Sequence, residues 1–237
     1  IDGKASEYTA QCYNILKDLC ALGNVKKMYV SKCIDKNASI IKNQLLHEKE
    51  IAENLMVKPY ETLLEIGCGC GRITDYISKL TNCTIYGINI DESQLDDARN
   101  HAELTGNNKL NFVFCDCNDR LPFEDNMFDT IISTYTMCSI SNLSMALTEI
   151  KRVIKSNGKL IFSEHGKAPD GNIYRWQKRL NPIQKRIAGG CQLDVNIPIV
   201  IENSGFELSE LNSMYIPGPK FLSYHYWGSA SLENKND

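Results

Sequence analysis

Residues 63–72, Leu-Leu-Glu-Ile-Gly-Cys-Gly-Cys-Gly-Arg, set glycines at 67, 69 and 71 directly after an apolar run. Bare backbone there can turn tightly and let a nucleoside approach the main chain. Spacing excludes two familiar phosphate loops. A P-loop closes on Lys followed by Ser or Thr, which this loop lacks, and a dinucleotide loop sets its third glycine farther from the second than Gly71 is from Gly69. Two further clusters carry chemistry: Asp116 with Leu121-Pro122-Phe123 and Phe128-Asp129, and Glu164-His165 at the end of another apolar run. A histidine there could take a proton from an acceptor near neutrality, or could serve only local backbone groups around Gly166.

The chain has 10 cysteines, two pairs of them as Cys68-x-Cys70 and Cys115-x-Cys117. Zinc ligands are usually spaced wider, and no His pair accompanies these, so the expectation is free thiols and no metal. Cys83, Cys115 and Cys138 fall in apolar patterns, where a thiol behaves as a small hydrophobe.

These groups must be held by elements, and the pattern alternates. Apolar runs at 62–66, 83–89, 110–115, 128–134 and 159–164 read as strands. Between them come helical patterns: one with Ile73, Tyr76, Ile77 and Leu80 on a face, one opened by the capping box Asp91-Glu92-Ser93-Gln94, and one carrying Leu143, Ala146, Leu147, Ile150, Val153 and Ile154. The last is expected to end at Lys155-Ser156-Asn157-Gly158. Such alternation implies an α/β, doubly wound, mostly parallel sheet. Upstream, 6–22 aligns Tyr8, Cys12, Ile15, Leu16 and Leu19, and 39–56 turns Ile41, Leu45, Ile51, Leu55 and Met56 inward. Together they form a helical cap over 1–57, ahead of a main domain at 58–237. The stretch 167–192 reads as an irregular, polar insertion, followed by a short helix near 194–204. Runs 206–215 and 220–229 around Pro217-Gly218-Pro219 read as an antiparallel hairpin, and residues 233–237 as a disordered end.

At 237 residues, 43% apolar and 23% charged, the composition is that of a soluble globular protein. A net charge of −3 argues against a nucleic-acid partner. No run approaches a membrane span, and no signal peptide is recognisable, so the expectation is cytoplasmic, with peripheral membrane contact left open. Oligomeric state is not legible. The first residue is Ile1 rather than Met, which leaves room for a preceding segment.

Across about 58–165, Glu65-x-Gly67-x-Gly69-x-Gly71 followed by Asp116, Leu121-Pro122-Phe123 and Phe128-Asp129 resembles the class I S-adenosylmethionine (SAM) dependent methyltransferases, of the type 11 or UbiE-like kind. From Ser163 to Ala230, the order Glu164-His165-Gly166, Trp176-Gln177, Leu180-Asn181-Pro182, Gly189-Gly190-Cys191 and Trp227-Gly228 is similar to the alkyl thiol methyltransferase branch. Gly87-Ile88-Asn89-Ile90 and the helical N-terminus are similar to enzymes acting on sterols and other lipids.

The resemblance implies a Rossmann-like seven-stranded sheet, SAM as cofactor and a small-molecule acceptor, a thiol first and a lipid, sterol or amine second. It implies that Gly67, Gly69 and Glu65 meet the amino-acid end of SAM. The acid usual at the second strand tip is replaced here by Asn89, expected to accept from the ribose while Asp91 caps the next helix. Ile90 would pack on the adenine, and Asp116 with the Cys117 backbone would meet its edge. Tyr135 and Thr136 would flank the transferred methyl, with His165 as base oriented by Glu164. Trp176, Asp194 and His225 are weaker candidates, Trp176 for packing first. Met28, Tyr29, Tyr174 and Trp176 would suit a pocket roofed by the N-terminal helices and 167–192. A nicotinamide oxidoreductase fits the glycine spacing poorly. A non-catalytic SAM-fold subunit would bind cofactor without turnover.

Overall fold

Leu63 and Leu64 are both fully buried although neighbours on a strand point to opposite faces, so the strand holding them is covered on both sides. That strand, β1 (Thr62–Ile66), is the middle of the parallel part of a seven-stranded sheet. The computed structural model describes residues 7–12, 34–55 and 57–233. After α1 (Ile40–Leu55) and β1 come α2 (Arg72–Thr81), β2 (Thr84–Asn89), α3 (Glu92–Thr105), β3 (Leu110–Phe114) and β4 (Phe128–Thr134). A 3-10 turn (Met137–Ser139) leads to α4 (Leu143–Val153), β5 (Ile154–His165), α5 (Gly171–Ile187), α6 (Ile197–Asn203), β6 (Phe206–Tyr215) and β7 (Tyr224–Leu232).

The strand order is β3-β2-β1-β4-β5-β7-β6. The first five strands are parallel, and β7 runs antiparallel to both β5 and β6. The doubly wound sheet and the terminal hairpin are therefore as expected. The chain leaves β1 outward toward β3, then returns to the other side of β1 as β4. The carboxyl ends of β1 and β4 thus flank a topological switch point, where α/β sheets bind ligands. One face packs Leu64, Ile131, Phe128 and Phe162 against Leu147 and Ile150 of α4 and Ile201 of α6. The other packs Leu63, Ile85 and Ile132 on Ile77 of α2.

Several local expectations are corrected. α2 buries Thr74, Asp75, Ile77 and Ser78, while Leu80 is half exposed. Polar side chains are tolerated there because each has partners: Asp75 meets Lys79 Nζ at 2.7 Å and Asn107 Nδ2 at 2.9 Å, and Ser78 Oγ donates to the Cys83 carbonyl. α1 likewise turns Asn43, Gln44, His47 and Glu48 inward and leaves Ile41 and Leu45 exposed. Asn43 Oδ1 accepts from the amides of Ile34 and Asp35, folding the preceding turn onto the helix. Ile15, Leu16, Leu19, Met28 and Tyr29, and the side chains of Ile51, Leu55 and Met56, lie outside the described residues.

α4 ends at Val153, earlier than its basic-then-glycine signal implies, because Ile154 already pairs with Phe128. The register then jumps to Thr130 opposite Lys159, so residues 155–158 bulge from the strand instead of closing the helix. Lys155 Nζ reaches Asp129 Oδ1 at 2.7 Å across the bulge.

The insertion is not irregular. It holds the 17-residue α5, hidden from pattern reading because Pro182 sits inside it and Gln177 is the buried residue it contributes. Gln177 Oε1 accepts from Ala168 N at 2.9 Å, and its Nε2 donates to the carbonyls of Gly166 (2.9 Å) and Phe221 (3.2 Å). One amide therefore staples the end of β5 to the hairpin loop. Trp176 is 54% exposed, which corrects its expected packing role. No helix among the described residues is long and apolar enough to cross a membrane.

Leucine at 177 would leave those three backbone groups, two of them buried, without the side-chain partner they have. Gln177→Leu is expected to lower unfolding free energy by roughly 2–4 kcal/mol in urea titration, with native far-UV dichroism below the transition.

Candidate functional site

The first strand ends in a loop clipped to its neighbour: the amides of Gly67 and Cys68 both donate to the Ile88 carbonyl, at 2.9 and 3.0 Å. Gly67 has φ 73°. A Cβ added there would lie 2.2 Å from Thr136 Oγ1, so β4's tip can sit against β1 only over a glycine. Gly71 is a packing glycine, since a Cβ would meet Phe112 Cζ at 2.6 Å and Ala98 Cβ at 2.8 Å. Glu65 is buried, and Thr74 Oγ1 donates to its Oε2 at 2.5 Å. That carboxylate thus ties the loop to the first turn of α2. Cys68 is buried against Gly87, and Cys70 Sγ faces Asp97.

At the tip of β2, Asp91 is the N-cap of α3, its Oδ1 accepting from Ser93 N at 2.9 Å. Gln94 Nε2 donates to Asp91 Oδ2, which turns Gln94 Oε1 toward Asn89. The Asn89 Nδ2 meets that oxygen at 3.3 Å and the Asp91 carbonyl at 3.5 Å. Both partners are acceptors, so the amide orientation of Asn89 is determined and its Oδ1 faces the other way, as an acceptor for a ribose hydroxyl requires. Ile90 beside it is partly exposed.

Beyond β3, Asp116 Oδ1 accepts from the backbone and side-chain nitrogens of Asn118, at 2.8 and 2.7 Å. Asn118 Oδ1 in turn accepts from Ser141 Oγ and Asn142 N, bracing this loop against the start of α4. Arg152 organises the Leu-Pro-Phe segment: its guanidinium donates to the carbonyls of Leu121 (2.9 Å) and Phe123 (2.8 Å), to Asp125 and to Glu149. The Arg152 hydrogen bond holds the Glu149 carboxyl below its usual range. Asn118, Gln94 and Arg152 were not singled out as site residues; of the three, only Gln94 carried a signal, as the fourth residue of the capping box. Burial pushes the Cys117 thiol well up.

The β4 tip is the strained part. Tyr135 has φ 52°, a left-handed conformation that a bulky side chain rarely adopts. Glu164, 0% exposed, holds it there: Oε1 accepts from Ser133 Oγ (2.8 Å), Thr136 N (3.0 Å) and Met137 N (3.1 Å). Burial raises this carboxyl above its usual range, against the lowering effect of those hydrogen bonds. Glu164 and His165 are consecutive on β5 and point to opposite faces, which corrects the expectation that Glu164 orients the histidine.

His165 Nε2 instead lies 3.1 Å from Cys191 Sγ, and Cys191 Sγ is 3.7 Å from Cys138 Sγ. Burial depresses the imidazole, but the adjacent Cys191 outweighs it and leaves His165 above its ordinary value. Cys138 and Cys191 in combination were missed, since they are 53 residues apart. The Tyr135 ring packs edge-on to His225 with centroids 5.4 Å apart. His225 Nδ1 faces the Ser223 carbonyl, and burial pushes this imidazole down to about 4. Asp194 Oδ1 accepts from Asn181 Nδ2, fixing the loop before α6. Over this corner, Tyr8 Oη donates to the Arg186 carbonyl.

Residues 64–162 match the methyltransferase domain family. Among curated proteins, 24-methylenesterol C-methyltransferase 2 of Arabidopsis thaliana is 29% identical over 68% of this chain and 44% of its own length. Sterol 24-C-methyltransferase ERG6B of Gibberella zeae is 32% identical over 63% of this chain and 39% of its own. The chain thus spans less than half of these relatives. Among solved structures, the [4+2]-cyclase SpnF superposes with TM-score 0.81 at 18% identity, covering 96% of this chain and 97% of that one. Geranyl diphosphate methyltransferase gives 0.79 at 13% identity over 96% and 99%. These two share the fold.

The left-handed glycines, the oriented Asn89 and the loop at Asp116 suit a nucleoside cofactor at the switch point. An Asn89→Asp variant turns a carboxylate oxygen onto Gln94 Oε1 and the Asp91 carbonyl. This substitution is therefore expected to weaken SAM binding about fivefold by calorimetry, ~1 kcal/mol.

Proposed function

We propose that this chain, whose residues 64–162 match the methyltransferase domain family, is a class I SAM-dependent methyltransferase that moves the methyl of SAM onto a small lipophilic acceptor, a thiol first. When bound, SAM supplies a methyl on a positively charged sulfur, whose departure as a neutral thioether needs little help beyond alignment and exclusion of water. Asn89 and the loop at Asp116 would hold the nucleoside, and the Gly67–Gly69 backbone the amino-acid end. Tyr135, fixed by Glu164 and backed by His225, would wall off the transfer line.

The observation that carries the acceptor class is convergence. Of the residues that bear the similarity to alkyl thiol methyltransferases, Glu164, His165 and Cys191 gather at the carboxyl ends of β4 and β5, Gln177 ties the chain just after β5 to the hairpin loop, and Asn181 braces the loop that follows Cys191. Helix α5 supports a lipophilic substrate: it carries Arg175, Lys178, Arg179, Lys185 and Arg186 with no acid, and exposes Trp176, Ile183 and Ile187. A basic amphipathic face of this kind suits an anionic lipid surface. A second reading, carbon methylation of a sterol, is favoured by the names of the curated relatives.

Incubation with SAM and a panel of alkyl thiol, alkyl amine and sterol, followed by mass spectrometry, is expected to yield the methyl thioether with matching S-adenosylhomocysteine. Methylated sterol alone would overturn the thiol reading in favour of the second. Cofactor binding with no methylated product would overturn both.

A further inference from the structure

Three side chains of the acceptor half converge from distant parts of the chain: Cys138 from the turn after β4, His165 from the end of β5, and Cys191 from the loop after α5. Their Sγ and Nε2 atoms all lie within 4.8 Å of one another. Cys138 is 2% and Cys191 7% exposed, and His165 is partly exposed. Two thiols and an imidazole at hydrogen-bond spacing are compatible with packing alone, so the distances matter. A tetrahedral zinc ion with Zn–S of about 2.3 Å and Zn–N of about 2.0 Å sets its sulfur–sulfur edge near 3.8 Å and its sulfur–nitrogen edge near 3.5 Å. The Cys191–Cys138 separation is 3.7 Å and the His165–Cys191 separation 3.1 Å, so two of the three edges are in place within a few tenths of an ångström, and the third, Cys138 to His165, is no longer than 4.8 Å. Soft thiolates with one imidazole are a donor set that selects zinc. An outer donor is present too: Gln184 Nε2 lies 3.8 Å from Cys191 Sγ, directed at the sulfur that would carry negative charge.

We propose that Cys138, His165 and Cys191 bind one zinc ion and leave its fourth position for an exchangeable ligand. Structural zinc sites close with four protein ligands, whereas three with one open position is the arrangement of reactive sites. The cluster adjoins Tyr135 at the switch-point end of the sheet. Resting on the thiol reading above, the open position takes the acceptor itself. R–SH would bind as R–S⁻ and release its proton to water. The acceptor sulfur would then use a lone pair to form its bond to the methyl carbon, as the methyl–sulfonium bond breaks and its electron pair stays on the departing thioether. A metal-held thiolate removes the need for a general base, consistent with the occupation of His165 Nε2 by Cys191. It also separates this cluster from the Cys68-x-Cys70 and Cys115-x-Cys117 pairs, which do not form such a group among the described residues.

The test is metal stoichiometry on the full chain, purified under reducing conditions, stripped by chelator, reloaded with zinc and desalted before elemental mass spectrometry. The expected content is about one zinc per chain, falling below about a tenth in Cys138→Ser and Cys191→Ser and unchanged in Cys83→Ala. Far-UV dichroism confirms that each variant is folded. Cobalt loading of the wild-type chain gives a second readout that needs no variant. Thiolate-to-cobalt charge-transfer bands are expected, together with visible bands that shift when decanethiol is added. Absence of stoichiometric zinc in the wild type, zinc retained by the Cys138→Ser/Cys191→Ser double variant, or cobalt bands indifferent to thiol would each overturn the proposal. Zinc bound with thiol-sensitive bands but no thioether formed would instead count against the thiol methyltransferase reading and leave the metal site standing.

Discussion

A single buried carboxylate oxygen, Glu164 Oε1, accepts three hydrogen bonds from the end of β4, and both halves of the site depend on that anchor. The loop it fixes carries Tyr135 through a left-handed turn. On one side this presses Thr136 against the backbone of Gly67, with Thr136 Oγ1 donating to the Ile66 carbonyl at 3.2 Å. On the other it starts the turn that places Cys138 beside Cys191 and His165. Apolar packing could not do this, because two consecutive backbone amides at a buried turn need an acceptor oxygen. The arrangement joins the Gly67 loop to the Cys138–His165–Cys191 cluster through residues 136–138.

The same logic explains why glycine is needed at 67 more than at an ordinary turn. The conformation alone favours glycine, but the contact with Thr136 forbids any side chain, so the parallel pairing of β1 with β4 and the loop geometry are specified together. At the β2 tip, specification runs through amides. Asp91 fixes Gln94, Gln94 fixes Asn89, and the outward oxygen of Asn89 results from that chain of donors and acceptors. An asparagine there is therefore part of a built network.

Much of the fold could be read from the chain because alternating apolar runs and helical periods follow directly from burial on both faces of a parallel sheet. The glycine loop, the cap at Asp91 and the terminal hairpin were legible for the same reason: each is a local rule with a local signal. What escaped was long-range or polar. The inward faces of α1 and α2 are lined by Asn43, Gln44, Thr74 and Asp75, whose burial is stabilised by partners that a hydrophobic period cannot register. Helix α5 contributes little apolar area to the core and contains Pro182, so neither period nor propensity marks it. Glu164 and His165 are adjacent in sequence, but a strand sends neighbours to opposite faces, so the carboxylate serves the turn after β4 and not the imidazole. Cys138 and Cys191 meet only through the tertiary fold. Fold similarity extends to a [4+2]-cyclase as well as to methyltransferases, so the chemistry must be argued from these side chains and not from the sheet.

The dependence of the glycine loop, proposed to hold SAM, on Glu164 is tested most directly by the SAM dissociation constant of Glu164→Ala beside Glu164→Gln, both checked for native secondary structure. Glutamine can keep an acceptor oxygen at the Oε1 position, so it should bind SAM within about threefold of wild type, whereas alanine should lose more than about tenfold, ~1.5–3 kcal/mol. An alanine variant that binds SAM as tightly as the wild type would contradict the account.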